Sequence, residues 1–318
     1  MNKILESCHF VSKISQHVKI NENKIIEFSN SFLQKNVTHW FAESPFDLTK
    51  LKTEELLNFL LVFNSINFSY WGNPKWQITY KDKEIKGGSY CMITVLGKAL
   101  ENNFPILDAK YLSEINENDF AKILEGNVEI PMFQERLQII KEVGKSLLEN
   151  FSGKFSNLIK ESEKNTQKIL NLIQTYFPSF RDESTYSSKK IYFYKRAQVL
   201  INDISQSCKE KFCQFKDTNE LTACADYKVP FVLRRLGILE YDEYLSHKID
   251  DKIQLEKDSI EEIEIRANMI FATELIKQKV QEKFPQINSI QINDALWLLG
   301  RTDLPDDKPY HLTRTTSY

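Results

Sequence analysis

Four consecutive stretches, residues 89–102, 108–125, 131–150 and 154–176, carry apolar side chains at three- and four-residue spacings. That period lets one face of a helix be buried, and it is incompatible with the two-residue alternation of a strand. The last stretch aligns Leu158, Ile159, Ile169, Leu170 and Ile173, and Pro178 ends it. The same period recurs at 54–66, through Leu56, Leu57, Leu60, Leu61 and Phe63, and at 194–204, through Ala197, Leu200, Ile201 and Ile204. Ile260 to Phe284 and Ile292 to Leu299 are two more. Ahead of them, a short polar helix and a second from Asn21 to Gln34, with Ile25, Ile26, Phe28, Phe32 and Leu33 as its apolar set, are expected before Glu43.

With only 9 Gly and 9 Pro in 318 residues, long helices are favoured over tight turns. The expected fold is therefore mainly α, a helical bundle with one small β-hairpin, KWQITYKDKEI at 75–85, alternating around Lys81-Asp82-Lys83. Residues 304–318, with Pro305, Pro309 and no period, read as coil packed on the body. No repeat or low-complexity tract divides the chain, which reads as one domain over 1–318, either a single body or two helical lobes around one cleft.

Charge narrows the partners. Forty-two basic residues against 44 acidic ones leave a net charge of -2, so no basic surface advertises duplex nucleic acid, and a small ligand is the expected partner. Five cysteines without paired CxxC spacing fit reduced thiols in a cytoplasm. The first residues carry Lys3, Glu6 and His9 with no apolar run, so no signal peptide is expected, and no span approaches membrane length. His39 and His311 gather no further ligands, so no metal site is expected. P-loop, GxGxxG and GxSxG signatures are absent.

Chemistry concentrates in LTACADYKVPFVLRRLGIL, residues 221–239. Pro230 suits a helix start, Val229 before it should be extended, and Gly237 can end the helix left-handed. The stretch reads as short helix, tight turn, helix, with Asp226 ahead of the second helix, where free N–H groups and the dipole favour an ionised carboxylate. By default such an Asp is only a helix cap. Small Ala225 and Cys224, with Tyr227 able to stack or hydrogen-bond, leave room for a nucleoside beside it.

Other groupings carry two readings each. Lys195 and Arg196, after Tyr192, Phe193 and Tyr194, sit at a helix start and suit a phosphate clamp, or form a solvated charged turn. Arg234 and Arg235 read as surface residues. Phe68, Tyr70, Trp71 and Trp76 form either an aromatic sandwich for a planar base or part of the core. Asn293, Asp294 and Trp297 fall within about one helical turn, so an amide, a carboxylate and an indole either face one cavity or cap and bury a helix.

Seven segments, taken in order, resemble the queuosine salvage family, the queuosine 5′-phosphate N-glycosylases. They are NSINFSYWG at 64–72, LEGNVEIPMFQERL at 124–137, YKRAQVLINDI at 194–204, ADYKVPFVLRRLGIL at 225–239, EIRANMIFATELI at 264–276, NDALWLLG at 293–300 and PYHLTRT at 309–315. The resemblance implies a helical fold like that of helix-hairpin-helix DNA glycosylases and no cofactor. It implies hydrolysis of the N-glycosidic bond of queuosine 5′-monophosphate, releasing queuine for salvage into tRNA modification.

Carried over by motif, the resemblance puts Asp226 on the ribose side of the scissile bond and Lys195 near the 5′-phosphate, where the helix-start reading adds Arg196 as a second binding candidate. Phe68 and Trp71 become base or sugar walls, with Ala225, Tyr227 and Lys228 beside the acid. Asn293, Asp294 and Trp297 surround the base, with Asp294 as a second catalytic candidate. The chain departs from the family where an acid often follows the Trp: here that position is Leu298, which leaves the acid's work to Asp226 or Asp294. Two other classes compete, a helical protein that binds a modified nucleoside without cleaving it and a base-excision enzyme like the DNA glycosylases.

A carboxylate suits this chemistry. Queuine is a 7-deazaguanine, so the ring lacks the N7 whose protonation loosens an ordinary purine. Stabilising the sugar cation must carry more of the barrier, and a preorganised charge in a water-poor pocket contributes roughly 3 kcal/mol or more.

Overall fold

A computed structural model of the chain describes residues 2–33 and 37–318. The N-terminal part comprises α1 (Lys3–Ile14), β1 (Val18–Ile20), α2 (Glu22–Ser31) and α3 (Thr53–Ser65). The hairpin β2 (Ile78–Tyr80) and β3 (Lys83–Ile85) follows, then α4 (Gly88–Glu101), α5 (Ala109–Glu114), α6 (Glu117–Ile123), α7 (Phe133–Phe151), α8 (Phe155–Glu161) and α9 (Thr166–Tyr176). A second hairpin, β4 (Glu183–Tyr186) and β5 (Lys189–Tyr192), leads into α10 (Lys195–Ser207) and α11 (Lys228–Arg235). The remainder is β6 (Leu239–Tyr241), α12 (Glu243–Asp250), α13 (Ile260–Val280) and α14 (Ser289–Leu299).

The mainly helical expectation holds, and so does the hairpin, where Lys81 and Asp82 take φ of 49° and 60°, the doubly left-handed turn that matches strand twist. It is not the only β structure. β4 pairs with β5, and β1 pairs antiparallel with β6, Val18 opposite Tyr241. A three-residue strand with a partner more than two hundred residues away leaves no period to read.

Two long helical stretches are interrupted. Ile115 breaks 108–125, and Asn116 restarts the chain as α6 by accepting the Asp119 N–H. In 154–176, Glu163 and Lys164 turn left-handed and Asn165 caps α9. The second N-terminal helix ends at Ser31; its expected end, Gln34, lies outside the described residues. α11 starts at Lys228 rather than at Pro230, so Val229 is helical rather than extended. A proline in the first turn forfeits no intrahelical hydrogen bond, because the first four N–H groups have none. Gly237 does leave the helix left-handed, at φ 68°. Residues 221–226 are irregular rather than a short helix, since side chains from elsewhere take their N–H groups: Thr222 N–H donates to Gln198 Oε1 and Cys224 N–H to Asn293 Oδ1.

α3 is buried along its length from Leu56 to Ser65 and packs against α7, α8 and α10. α13 lies between α1, α2 and α14. α5 lies so close on α7 that a Cβ at Gly144 would stand 2.3 Å from the Ser113 backbone nitrogen. Arg136 on α7 is wholly buried, and its guanidinium donates to the carbonyls of Ile66, Phe68 and Ser69, fixing the loop after α3. The tail packs on this loop from the other side. Ser69 N–H donates to the Tyr318 carbonyl at 2.8 Å and Trp71 Nε1–H to the Thr313 carbonyl at 3.2 Å.

Not all cysteines are reduced. Cys208 and Cys213 form a disulfide, their Cα atoms brought to 5.9 Å by the turn after α10, while Cys8, Cys91 and Cys224 are buried and free. Among the described residues no helix is long and apolar enough to cross a membrane.

Candidate active site

α10 begins abruptly. Tyr194, its N-cap, is left-handed at φ 51°, an unfavourable conformation for an aromatic residue and one that clusters at functional sites. The turn is held by Asp182, whose carbonyl accepts Phe193 N–H at 3.0 Å and whose Oδ2 accepts Lys195 N–H at 3.1 Å. The helix then presents Lys195, Val199 and Asn202, at spacings of four and three, to a narrow chamber of about 40 Å³. Asp294, Asn293 and Trp297 of α14 face the same chamber, with Trp40 and Cys224.

That chamber opens into a wider one of about 410 Å³, within the range of small-molecule sites. Its walls are aromatic, including Phe68, Trp71, Tyr227 and Tyr310, and its cations are Lys75, Lys86, Lys195, Lys228 and Arg301. Asn67, Ser89, Lys195, Asp226 and Trp297 line both spaces and so mark the throat between them.

Asp226 is both a cap and a cavity residue. Its Oδ1 accepts the N–H groups of Lys228 and Val229, each at 2.9 Å, which fixes the carboxyl at the start of α11. Its Oδ2 takes no hydrogen bond from the described residues. The helix start does not keep the acid low: burial raises its pKa above the ordinary carboxylate value, against the pull of Lys195 and of the two N–H groups. Burial likewise lowers the Lys195 ammonium, which the Asp226 charge partly restores.

Asp294 lies deeper. Burial lifts its pKa to about 6, with Asp203 adding to the rise and His39 opposing it. Asn202 Nδ2 donates to its Oδ2 at 3.2 Å. Neither Asn293 nor Asp294 caps α14; Asn288 does that, through a capping box with Gln291.

Other candidates separate. Arg196 is buried but turned away from both chambers, donating to the carbonyls of Ser65 and Ser179 with its guanidinium over Phe180. It therefore props the α3 loop instead of facing a ligand. Ala225 is buried outside the lining, its carbonyl accepting Arg266 Nε at 3.3 Å. Arg234 and Arg235 both pair with acids, Asp250 and Asp307. Sequence reasoning missed Trp40, Asn67, Ser89 and Asn202. For Asn202 and its neighbour Asp203 the available signal was polar residues next to the apolar face of α10, where burial demands partners. Among the described residues no cluster of His, Cys, Asp and Glu suits a metal ion.

The pattern of the queuosine salvage protein family matches residues 48–318. The chain is similar to the queuosine 5′-phosphate N-glycosylase/hydrolase of Sphaerobacter thermophilus, at 35% identity with 99% of this chain and 97% of that protein aligned. Proteins of the same name from Bos taurus and Mus musculus are 32% and 31% identical, with 98% of each chain covered in both alignments.

Proposed function

The chain belongs to the queuosine salvage protein family, and from that premise we propose that it hydrolyses the N-glycosidic bond of queuosine 5′-monophosphate and releases queuine. The observation that carries the reading is the position of Asp226, at the throat between a narrow chamber lined by amides, an acid and indoles and a wider one lined by aromatics and cations. A nucleotide laid through that throat turns the edge of its base into the narrow space and sets its phosphate among the lysines and its C1′ at the carboxyl.

In the reaction the C1′–N bond breaks with its electron pair going to the base, while water supplies hydroxide to C1′ and a proton to the departing nitrogen. Asp226 in its ionised form stabilises the positive charge growing on C1′ and the ring oxygen, where it is worth far more than in water. Oδ1 is fixed by the α11 N–H groups, which leaves Oδ2 for the sugar carbon or for the attacking water. Asp294, with Asn202 and Asn293 beside it, offers acceptors to the donors of a guanine-like edge. Lys195 and Lys228 supply charge for the phosphate; Phe68, Trp71 and Tyr227 flank the sugar.

The same reading takes residues 1–318 as one domain, supported by the β1–β6 pair and by the tail packed on the α3 loop. Likeness to helix-hairpin-helix DNA glycosylases, a cytoplasmic setting and a role in tRNA modification rest on the family resemblance, and the small negative net charge favours a free nucleotide over a duplex. Incubation of the purified protein with queuosine 5′-monophosphate, followed by chromatography, is expected to yield queuine and ribose 5-phosphate. Recovery of intact nucleotide would leave only a binding protein.

A further inference from the structure

Trp40 lies upstream of the segment that matches the family pattern. Its indole nevertheless lines the narrow chamber beside Asp294 and Trp297, its ring centroid 5.9 Å from that of Trp297 at an interplanar angle of 60°. Behind the chamber, Trp40 Nε1–H donates at 3.0 Å to Asp203 Oδ1.

Asp203 itself is fully buried and lines neither chamber. Its Oδ2 accepts Asn64 Nδ2 at 2.9 Å, and His39 Nε2 stands 3.2 Å from Oδ1. A carboxylate out of reach of water is tolerated only when donors surround it. Here the donors come from α3, through Asn64, and from the segment at 39–40, through Trp40 in the chamber wall. Rotating the indole would strip the acid of one of them, so the ring plane is tied to a group outside the cavity.

Two indoles meeting at an angle, with Asn202, Asn293 and Asp294 lining the same chamber, offer a flat heterocycle what it requires: apolar surface to pack on and polar groups at its edge. We infer that Trp40 is a wall of the base-binding chamber, in contact with the substrate's heterocycle, and that Asp203 is the positioning residue holding that wall in plane. The identity of the heterocycle rests on the N-glycosidase reading; the architecture does not.

The test separates the two halves of the substrate. Queuine and ribose 5-phosphate are titrated calorimetrically, each alone, into the full chain and its variants. Trp40→Ala is expected to weaken queuine by roughly tenfold or more, the size of a lost base–aromatic stack, and to leave ribose 5-phosphate within about twofold. Asp203→Asn, which cannot accept from both Trp40 and Asn64, is expected to weaken queuine selectively but less. Because Asp203 acts through Trp40, the double variant is expected to bind queuine no more weakly than Trp40→Ala alone.

Equal losses for both ligands, unchanged queuine affinity in a folded Trp40→Ala protein, or additive losses in the double variant would overturn the inference. If Trp40→Ala does not fold, Trp40→Phe, which keeps an aromatic face but has no N–H for Asp203, carries the same comparison with a smaller expected loss. Wild-type protein that binds queuine selectively through Trp40 yet never cleaves the nucleotide would sink the hydrolase reading and leave this one standing.

Discussion

Asn202 Nδ2 donates to Asp294 Oδ2 across 3.2 Å inside the narrow chamber, from α10 to α14. The amide fixes the acid in the cavity without neutralising it, and burial leaves its pKa near 6. Below about pH 6 the carboxyl is protonated, so it loses its charge and one of its oxygens turns from an acceptor for base N–H donors into a donor. kcat/KM for the nucleotide is therefore expected to fall as the pH drops through about 6, and Asp294→Asn should remove that limb while lowering the plateau. A variant profile that keeps the limb assigns it to another group.

The same shift has a stability counterpart with the opposite slope. A carboxyl whose folded pKa exceeds its unfolded one binds more protons when folded, so stability falls as pH rises from about 4 to about 6. Asp294→Asn abolishes that loss. At pH 7 the variant is expected to be more stable than wild type by roughly 1–3 kcal/mol, read as a higher denaturant midpoint. At pH 4 the two should converge.

Asp226→Asn keeps an oxygen for the Lys228 and Val229 N–H groups and is expected to stay folded while turnover drops by about 100-fold or more. Asp226→Ala also removes the cap and should cost about 1 kcal/mol of stability. Full turnover in a folded Asp226→Ala protein would end its catalytic assignment.

Lys195 and Lys228 stand on opposite sides of Asp226 in sequence and both line the wider chamber. Each alanine variant is expected to lose more kcat/KM on the 5′-monophosphate than on the bare nucleoside. An equal loss on both substrates for Lys195→Ala would mean that its charge serves Asp226 and not the phosphate.

Arg136 touches no ligand in this account, yet the wall containing Phe68 hangs on it. Arg136→Ala leaves the carbonyls of Ile66, Phe68 and Ser69 short of donors and should lower stability by about 3 kcal/mol or more. Arg136→Lys should rescue little, because one ammonium cannot reproduce a planar fork. Guanidinium denaturation with an unchanged slope would measure it.

Residues such as Leu56, Leu60 and Ile173 announced their helices because burial on one face imposes a period on the sequence. Asp226 and Asp294 were legible through short motifs whose residue types suit the chemistry. What stayed hidden depends on partners far along the chain. Nothing around Val18 signals that it pairs with Tyr241, and nothing near Trp40 signals that its indole meets Asp203. The break at Asn116 and the start of α11 were misjudged for a nearer reason: local capping by one side chain outweighed a continuing period in the first case, and a first-turn proline was harmless in the second.

Arg266 grips Asp182 through two hydrogen bonds of 3.0 and 2.6 Å and reaches the Ala225 carbonyl with its Nε. Asp182 in turn holds the Lys195 N–H. The residues immediately before and at the two charged positions of the throat are thus pinned to one guanidinium–carboxylate pair that is sealed from solvent. Dissolved ions weaken attraction only where they can approach, so rising ionic strength can loosen the hold of the lysine side chains on an incoming phosphate and still leave the backbone spacing of Lys195 and Asp226 at the throat untouched.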